Sequence, residues 1–172
     1  MSLEIRTAAE MIALDLEGRQ AARRAVRETG LMQWVLRAFV ERAEPVHVDE
    51  IVAAFPDRSP SSVFDAVTSL DDEDLVQIRA GRVDIAYPFS ASPTPFVVDL
   101  GKEGQRYACC AIDALGLAPM LGRPLRIRSR CHHCGAALEL SVDPSGPGRE
   151  AAGVMVWVGK RVEDGRRACD SL

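Results

Sequence analysis

The residues best suited to chemistry lie in Tyr107–Gly122, YACCAIDALGLAPMLG. This stretch holds two adjacent cysteines, Cys109 and Cys110, with Asp113 three residues after the second. On a helix, Cys110 and Asp113 share a face, as do Cys109 and Asp113, while the two cysteines point about 100° apart. One thiol can therefore face Asp113 in a pocket while the other packs elsewhere. A thiolate is a strong ligand for soft metals, and a nearby carboxyl group can accept or donate a proton. The plainer alternative is that these cysteines are small buried hydrophobes. Pro119 is expected to stop the helix that carries them.

A second candidate is Cys131-His132-His133-Cys134-Gly135, expected at the tip of a hairpin. Cys-x-x-Cys-Gly is half of a zinc-ribbon site, and a closed zinc site needs four ligands. His132 and His133 lie inside the knuckle and can hardly complete a tetrahedron with both flanking thiolates. Cys109, Cys110 or Cys169 could supply the remainder. The alternative is a reduced pair at the surface. Just before the knuckle, Arg126, Arg128 and Arg130 alternate along one strand face. They could bind an anion, but a solvated face is the expected role.

Composition narrows the classes. The chain has 172 residues, 47% of them hydrophobic, enough for one sizeable core or two small ones. A formal net charge of −4 argues against a general nucleic-acid binder. No apolar run reaches the length of a membrane span. The opening MSLEIRTAAEMIALDLEG has acidic residues and no long apolar core, unlike a signal peptide, so a cytoplasmic location is expected. There the five cysteines would be reduced and would favour metal or catalytic roles over disulfides.

These residues must be positioned by a small set of elements. Apolar spacing predicts helices over residues 3–28, Leu31–Arg42 and Val48–Phe55, the last capped by His47 or Asp49. A fourth helix is expected after Ser59 as N-cap and Pro60 at the first helical position, with Val63, Phe64, Val67 and Leu70 on its apolar face. Leu75–Arg79 and Arg82–Ala86 predict a hairpin around Ala80-Gly81. Helix, short helix, helix and hairpin is the order of a winged helix-turn-helix. Its would-be recognition helix ends in Asp71-Asp72-Glu73-Asp74, which would repel phosphates, so a structural or docking role is expected rather than DNA binding.

The Pro/Ser-rich run at 88–95 reads as a linker, which divides the chain into a helical unit at 1–87 and an α+β unit at 96–172. Strands are expected at Phe96–Leu100, Leu125–Arg130, Ala137–Val142 and Gly153–Val158, with the cysteine-bearing helix at their centre. The expected fold class is therefore α+β: a winged-helix-like unit followed by a small mixed or antiparallel sheet.

From Phe96 to Cys169 the sequence resembles the organomercurial (alkylmercury) lyases. The resemblance is carried by YACCAIDALGLAPMLGRPLRIRSRC, then ALELSVDP, AAGVMVWV and the late Cys169. The family has an aromatic-Ala-x-Cys-Ala-x-Asp segment followed by Pro, a Leu/Ile-Gly and a strand ending in Cys. The helical N-terminal half matches in layout. The resemblance implies that Cys110 and Cys169 are catalytic cysteines, that Asp113 is the catalytic aspartate, and that Cys131 is structural. It further implies that two thiolates take R–Hg⁺ and weaken the carbon–mercury bond, that Asp113 protonates the leaving carbanion, and that Hg(II) stays on Cys110 and Cys169. An external thiol or a mercuric reductase would then remove the ion. No cofactor is required on this reading.

Cys109 stands where the family has a bulky aromatic residue, and Cys134 adds a Cys-x-x-Cys that the well-known enzymes lack. The chain ends three residues after Cys169, where the family continues, so a shortened relative completed by a second chain is one expectation. The alternative function is a non-catalytic thiol protein or metal-responsive regulator. It would keep the fold and hold Hg(II), Zn(II) or Cu(I) between Cys110, Cys169 and Cys131, Cys134 or Cys109.

Overall fold

The computed structural model describes residues 29–157, so the helix expected over 3–28 and the late Cys169 lie outside the described residues. Four helices are described: α1 (Thr29–Glu41), α2 (Val48–Ala54), α3 (Pro60–Asp72) and α4 (Ala111–Leu121). The strands are β1 (Val46–His47), β2 (Val76–Arg79), β3 (Arg82–Ala86), β4 (Phe89–Ser90), β5 (Val97–Asp99), β6 (Gln105–Ala108), β7 (Leu125–Arg130), β8 (Ala137–Asp143) and β9 (Gly146–Pro147). They form one antiparallel sheet in the order β1-β3-β4-β6-β5-β7-β8-β9, with β2 paired to β3. The fold is α+β.

The helical elements before β2 start where local chemistry dictates. Ser59 Oγ accepts from the Ser62 N–H at 3.2 Å, and Pro60 occupies the first turn of α3, where its missing N–H costs nothing. At α2, Glu50 reaches back to the His47 N–H at 3.1 Å. Arg42 also pairs with Glu50 at 2.6 Å and holds its carboxyl below the usual range. On α3, Val63, Val67 and Leu70 are buried as the spacing predicts, but Phe64 is exposed and Ala66 takes the inner position. The acidic end of α3 serves the hairpin, since Asp71 accepts from the Ile78 N–H at 2.9 Å. That bond falls where the β2–β3 register shifts between Gln77 and Ile78.

In the run expected to be a linker, Phe89 and Ser90 form β4, which pairs with β3 on one side and β6 on the other. Phe89 is fully buried and stacks on Phe39 of α1 with ring centroids 6.2 Å apart. One buried cluster runs from Leu31 and Phe39 through Val83 and Phe89 to Leu117, Ile127 and Val142. Gly153–Val158 was expected as a strand, but residues 153–157 form none. β9 pairs with β8 at Val142 and Asp143, and Met155 and Trp157 are exposed. Among the described residues no helix is long and apolar enough to cross a membrane.

The helical and sheet-rich parts are tied together by Arg106 on β6, a side chain only 5% exposed. Its Nε donates to the Phe39 carbonyl and its Nη2 to the Val40 carbonyl, both at 2.7 Å, while Nη1 donates to the Gln105 carbonyl. Phe39 and Val40 lie in the last turn of α1, where carbonyls lack partners within the helix. Burial pulls the guanidinium pKa down, against the opposing pull of Glu103. Arg106→Met keeps most of the stem but strands two carbonyls. It should cost about 2–4 kcal/mol of folding stability, read as a lower urea midpoint with an unchanged slope.

Candidate active site

Strand β6 leads directly into the two cysteines. The turn is fixed before the chemistry begins: Thr94 Oγ1 donates to the Ala108 carbonyl at 2.6 Å, and the Cys109 N–H donates to the Pro88 carbonyl at 3.0 Å. Cys109 then points inward. It is 3% exposed and packs with Ile85 and Tyr87. The two cysteines therefore part company as expected, but not on a helix. Helix α4 begins at Ala111, so Cys109 precedes it and Cys110 is its N-cap with extended backbone angles. An N-cap must leave helical geometry to offer its side chain to the first turn, and this is what aims Cys110 at Asp113.

Cys110 Sγ accepts from the Asp113 N–H at 3.4 Å, and its carbonyl accepts from the Ala114 N–H at 3.0 Å. The thiol and the Asp113 carboxyl share a side-chain hydrogen bond as well. Both residues are half-buried. Pro119 does not stop the helix. It lies inside α4, which runs on to a left-handed Gly122 whose N–H donates to the Ala118 carbonyl. Just beyond, Arg123 pairs with Glu103 at 3.1 Å, which anchors this end of α4 to the turn before β6. Ala114, Leu117 and Ala118 fill the core below, and Ile112 is exposed beside the thiol.

Electrostatics at Cys110 is a contest. A helix N-terminus ordinarily favours a thiolate. Here burial pushes the thiol up to about 11, its hydrogen bond to Asp113 and that carboxylate's charge add to the rise, and the Asp113 and Ile112 N–H groups pull the other way. At pH 7 roughly one in ten thousand of such a thiol is ionised. Asp113 is also raised, by burial, and the hydrogen bond from Cys110 opposes that rise. The resting pair is a thiol and a carboxylate holding one proton between them.

The hairpin cysteines lie in a different setting. Cys131–Ala136 joins β7 to β8, as the spacing predicts, with Cys131 half-exposed and Cys134 exposed. Arg126, Arg128 and Arg130 are all exposed on β7. The Cys131 pKa is lowered, first by the Cys134 N–H, then by the His133 N–H and the Cys134 thiol. Among the described residues no three His, Cys, Asp or Glu side chains group together as a metal set. Neither of two open clefts, about 260 and 470 Å³, is lined by Cys110 or Asp113. Thr94 and Arg106 were not anticipated from sequence. A threonine ahead of a proline and one arginine in a four-residue strand carry no distinctive signal.

Comparison with known proteins bears on the same segment. The alkylmercury lyase family model matches residues 89–172. The alkylmercury lyase of Staphylococcus epidermidis is 35% identical over 118 residues, covering 66% of this chain and 51% of that protein. That of Streptomyces lividans is 31% identical over 114 residues, covering 64% and 51%. The chain thus spans about half the length of the curated relatives it matches. Among solved structures, the mercury-bound form of MerB2 superposes with a TM-score of 0.63 at 20% identity, covering 80% of this chain and 67% of that one. At that identity the likeness shows the fold.

Alkylation of Cys110 by iodoacetamide, followed by peptide mass spectrometry, should rise about tenfold per pH unit and level off near pH 11. Removing the neighbouring negative charge in Asp113→Asn should move that inflection down. An unchanged profile would mean that the carboxylate does not act on the thiol.

Proposed function

We propose that this chain, whose residues 89–172 match the alkylmercury lyase family model, cleaves the carbon–mercury bond of an organomercurial to give a hydrocarbon and Hg(II). The observation that carries this reading is the hydrogen-bonded Cys110–Asp113 pair at the entrance to α4, inside the matching segment. MerB2, which shares the fold, has been solved in a mercury-bound form.

In the proposed reaction Cys110 attacks mercury in R–Hg–X. A thiol that binds a metal must lose its proton, and mercury, being very soft, favours sulfur over oxygen or nitrogen. Asp113 is the base within hydrogen-bond reach, and burial raises its affinity for the proton. The product of this step is Cys110–S–Hg–R with Asp113 protonated and X⁻ released. Cys169 supplies the second thiolate, its own proton leaving with X as HX. This role is carried over from the family, and Cys169 lies outside the described residues. Two sulfur donors weaken the Hg–C bond, and Asp113 delivers its proton to carbon. The balance is R–Hg–X plus two thiols giving R–H, HX and a bis-thiolate Hg(II). An external thiol then withdraws the ion, and no resident cofactor takes part.

We read α1–α3 with the β2–β3 hairpin as a winged-helix-like unit in a structural role within residues 1–87, residues 96–172 as the lyase-like α+β unit, and the setting as cytoplasmic. The acidic end of α3 supports that role, because Asp71 is used within the hairpin and offers nothing to phosphate. Methylmercury and phenylmercury with excess thiol should yield methane and benzene, detected by gas chromatography. Asp113→Ala should lower release by about 100-fold or more while mercury still binds. Stoichiometric mercury binding without hydrocarbon release by the parent chain would leave a thiol metal-binding protein instead.

A further inference from the structure

The β7–β8 hairpin carries a pair of thiols that the reaction above does not use. Its loop is built as a metal knuckle. The Cys131 N–H donates to the Ala136 carbonyl, and the Gly135 N–H donates back to the Cys131 carbonyl, both at 2.8 Å. Gly135 takes the left-handed φ of 72° that this tight return requires. Cys131 and Cys134 stand three residues apart in this one tight loop, Cys134 exposed and Cys131 partly so. Two thiols are thus carried on a single turn at the hairpin tip.

The surroundings decide which ion suits them. A structural zinc needs four ligands, and no third ligating side chain joins the pair among the described residues. Hard divalent cations need oxygen ligands. A positive charge lies on the same loop: the Arg130 guanidinium donates to the Gly135 carbonyl at 3.4 Å. A cation that keeps its charge would be repelled there. An ion satisfied by two thiolates, which forms a neutral S–Hg–S unit, avoids both difficulties.

We propose that Cys131 and Cys134 form a second mercury site, a two-thiolate acceptor for Hg(II) at the surface and separate from Cys110. The inference takes the identity of the ion from the lyase reading and adds where its product can go. Loading from a bis-glutathione complex is a plain exchange: two Hg–S bonds to glutathione break, two to Cys131 and Cys134 form, and the two cysteine protons pass to the released glutathione thiolates. No oxidation occurs. The gain is the chelate effect, because the second sulfur is already at high local concentration when the first has bound.

The test uses the full chain carrying Cys110→Ser, with mercuric chloride in excess reduced glutathione and the retained metal measured after desalting. This variant should keep a mercury ion that the further change Cys134→Ser releases, with apparent affinity falling at least tenfold. Cys134 is exposed, so this change should spare the fold, and circular dichroism checks that it does. Equal retention with and without Cys134 overturns the proposal. So does tight Zn(II) binding with a tetrahedral-thiolate spectrum after Co(II) substitution, which would make this a closed zinc site. Absence of hydrocarbon release from the parent chain, with Cys134-dependent retention intact, would overturn only the lyase reading.

Discussion

The architecture depends on one buried charge. Arg106 leaves the sheet at β6 and closes the open end of α1 by donating to the Phe39 and Val40 carbonyls. Those bonds join residues 67 and 66 positions apart in sequence. They are the polar counterpart of the Phe39–Phe89 stack, which joins α1 to β4, the strand paired with β6. A guanidinium so far from water is tolerable only because its donors meet fixed carbonyl oxygens. The consequence for chemistry is direct. Arg106 lies on β6, the strand that ends at Ala108 and leads into Cys109, so anchoring the helical unit also fixes where the cysteine turn begins. The helical half is then part of the scaffold of the site.

At the site itself, burial and position pull in opposite directions. The N-cap of α4 offers Cys110 the N–H groups that would stabilise a thiolate, yet half-burial and the Asp113 carboxylate hold the thiol protonated up to about pH 11. A reactive cysteine of the usual kind has the reverse balance. The arrangement makes sense if the charge that completes the site arrives with the substrate. A soft cation neutralises the thiolate it creates, and the displaced proton has a carboxylate beside it whose own affinity burial has raised. A low resting thiolate fraction also limits alkylation and oxidation between turnovers.

Much of this was legible because local chemistry governs it. Ser59-Pro60 starts α3, alternation sets β7, and the Cys-x-x-Cys falls at the hairpin tip. Spacing left either cysteine open as the partner of Asp113, and it is Cys110 that meets it, by a different geometry. Three residues separate an N-cap from the N3 position just as they separate two neighbours on a helix face, so one spacing serves both. What failed to show was non-local. Pro119 lies inside α4, two residues before its end, and that end is set by the left-handed Gly122 rather than by the proline. The apolar Val154–Trp157 run reads as a strand, but it pairs with no strand and its large side chains are exposed. Phe89–Ser90 hides in a Pro/Ser-rich run because its strand character comes from neighbours on both sides.

The two thiol environments differ in a way that matters for an ion passing between them. Cys110 is half-buried, adjoins a carboxylate and keeps its proton. Cys131 is met by backbone N–H groups that lower its pKa, at an exposed tip flanked by arginines. A buried site with a proton store suits bond cleavage, because the acid must reach carbon before water intervenes. A pair at the surface suits exchange, because incoming and outgoing thiols can approach. On the proposed reading, the more accessible pair of sulfurs at the hairpin tip offers Hg(II) a route away from Cys110. Strand β7 joins the end of α4 to the knuckle through the Gly122–Pro124 turn, so both environments ride on one continuous stretch of the sheet domain.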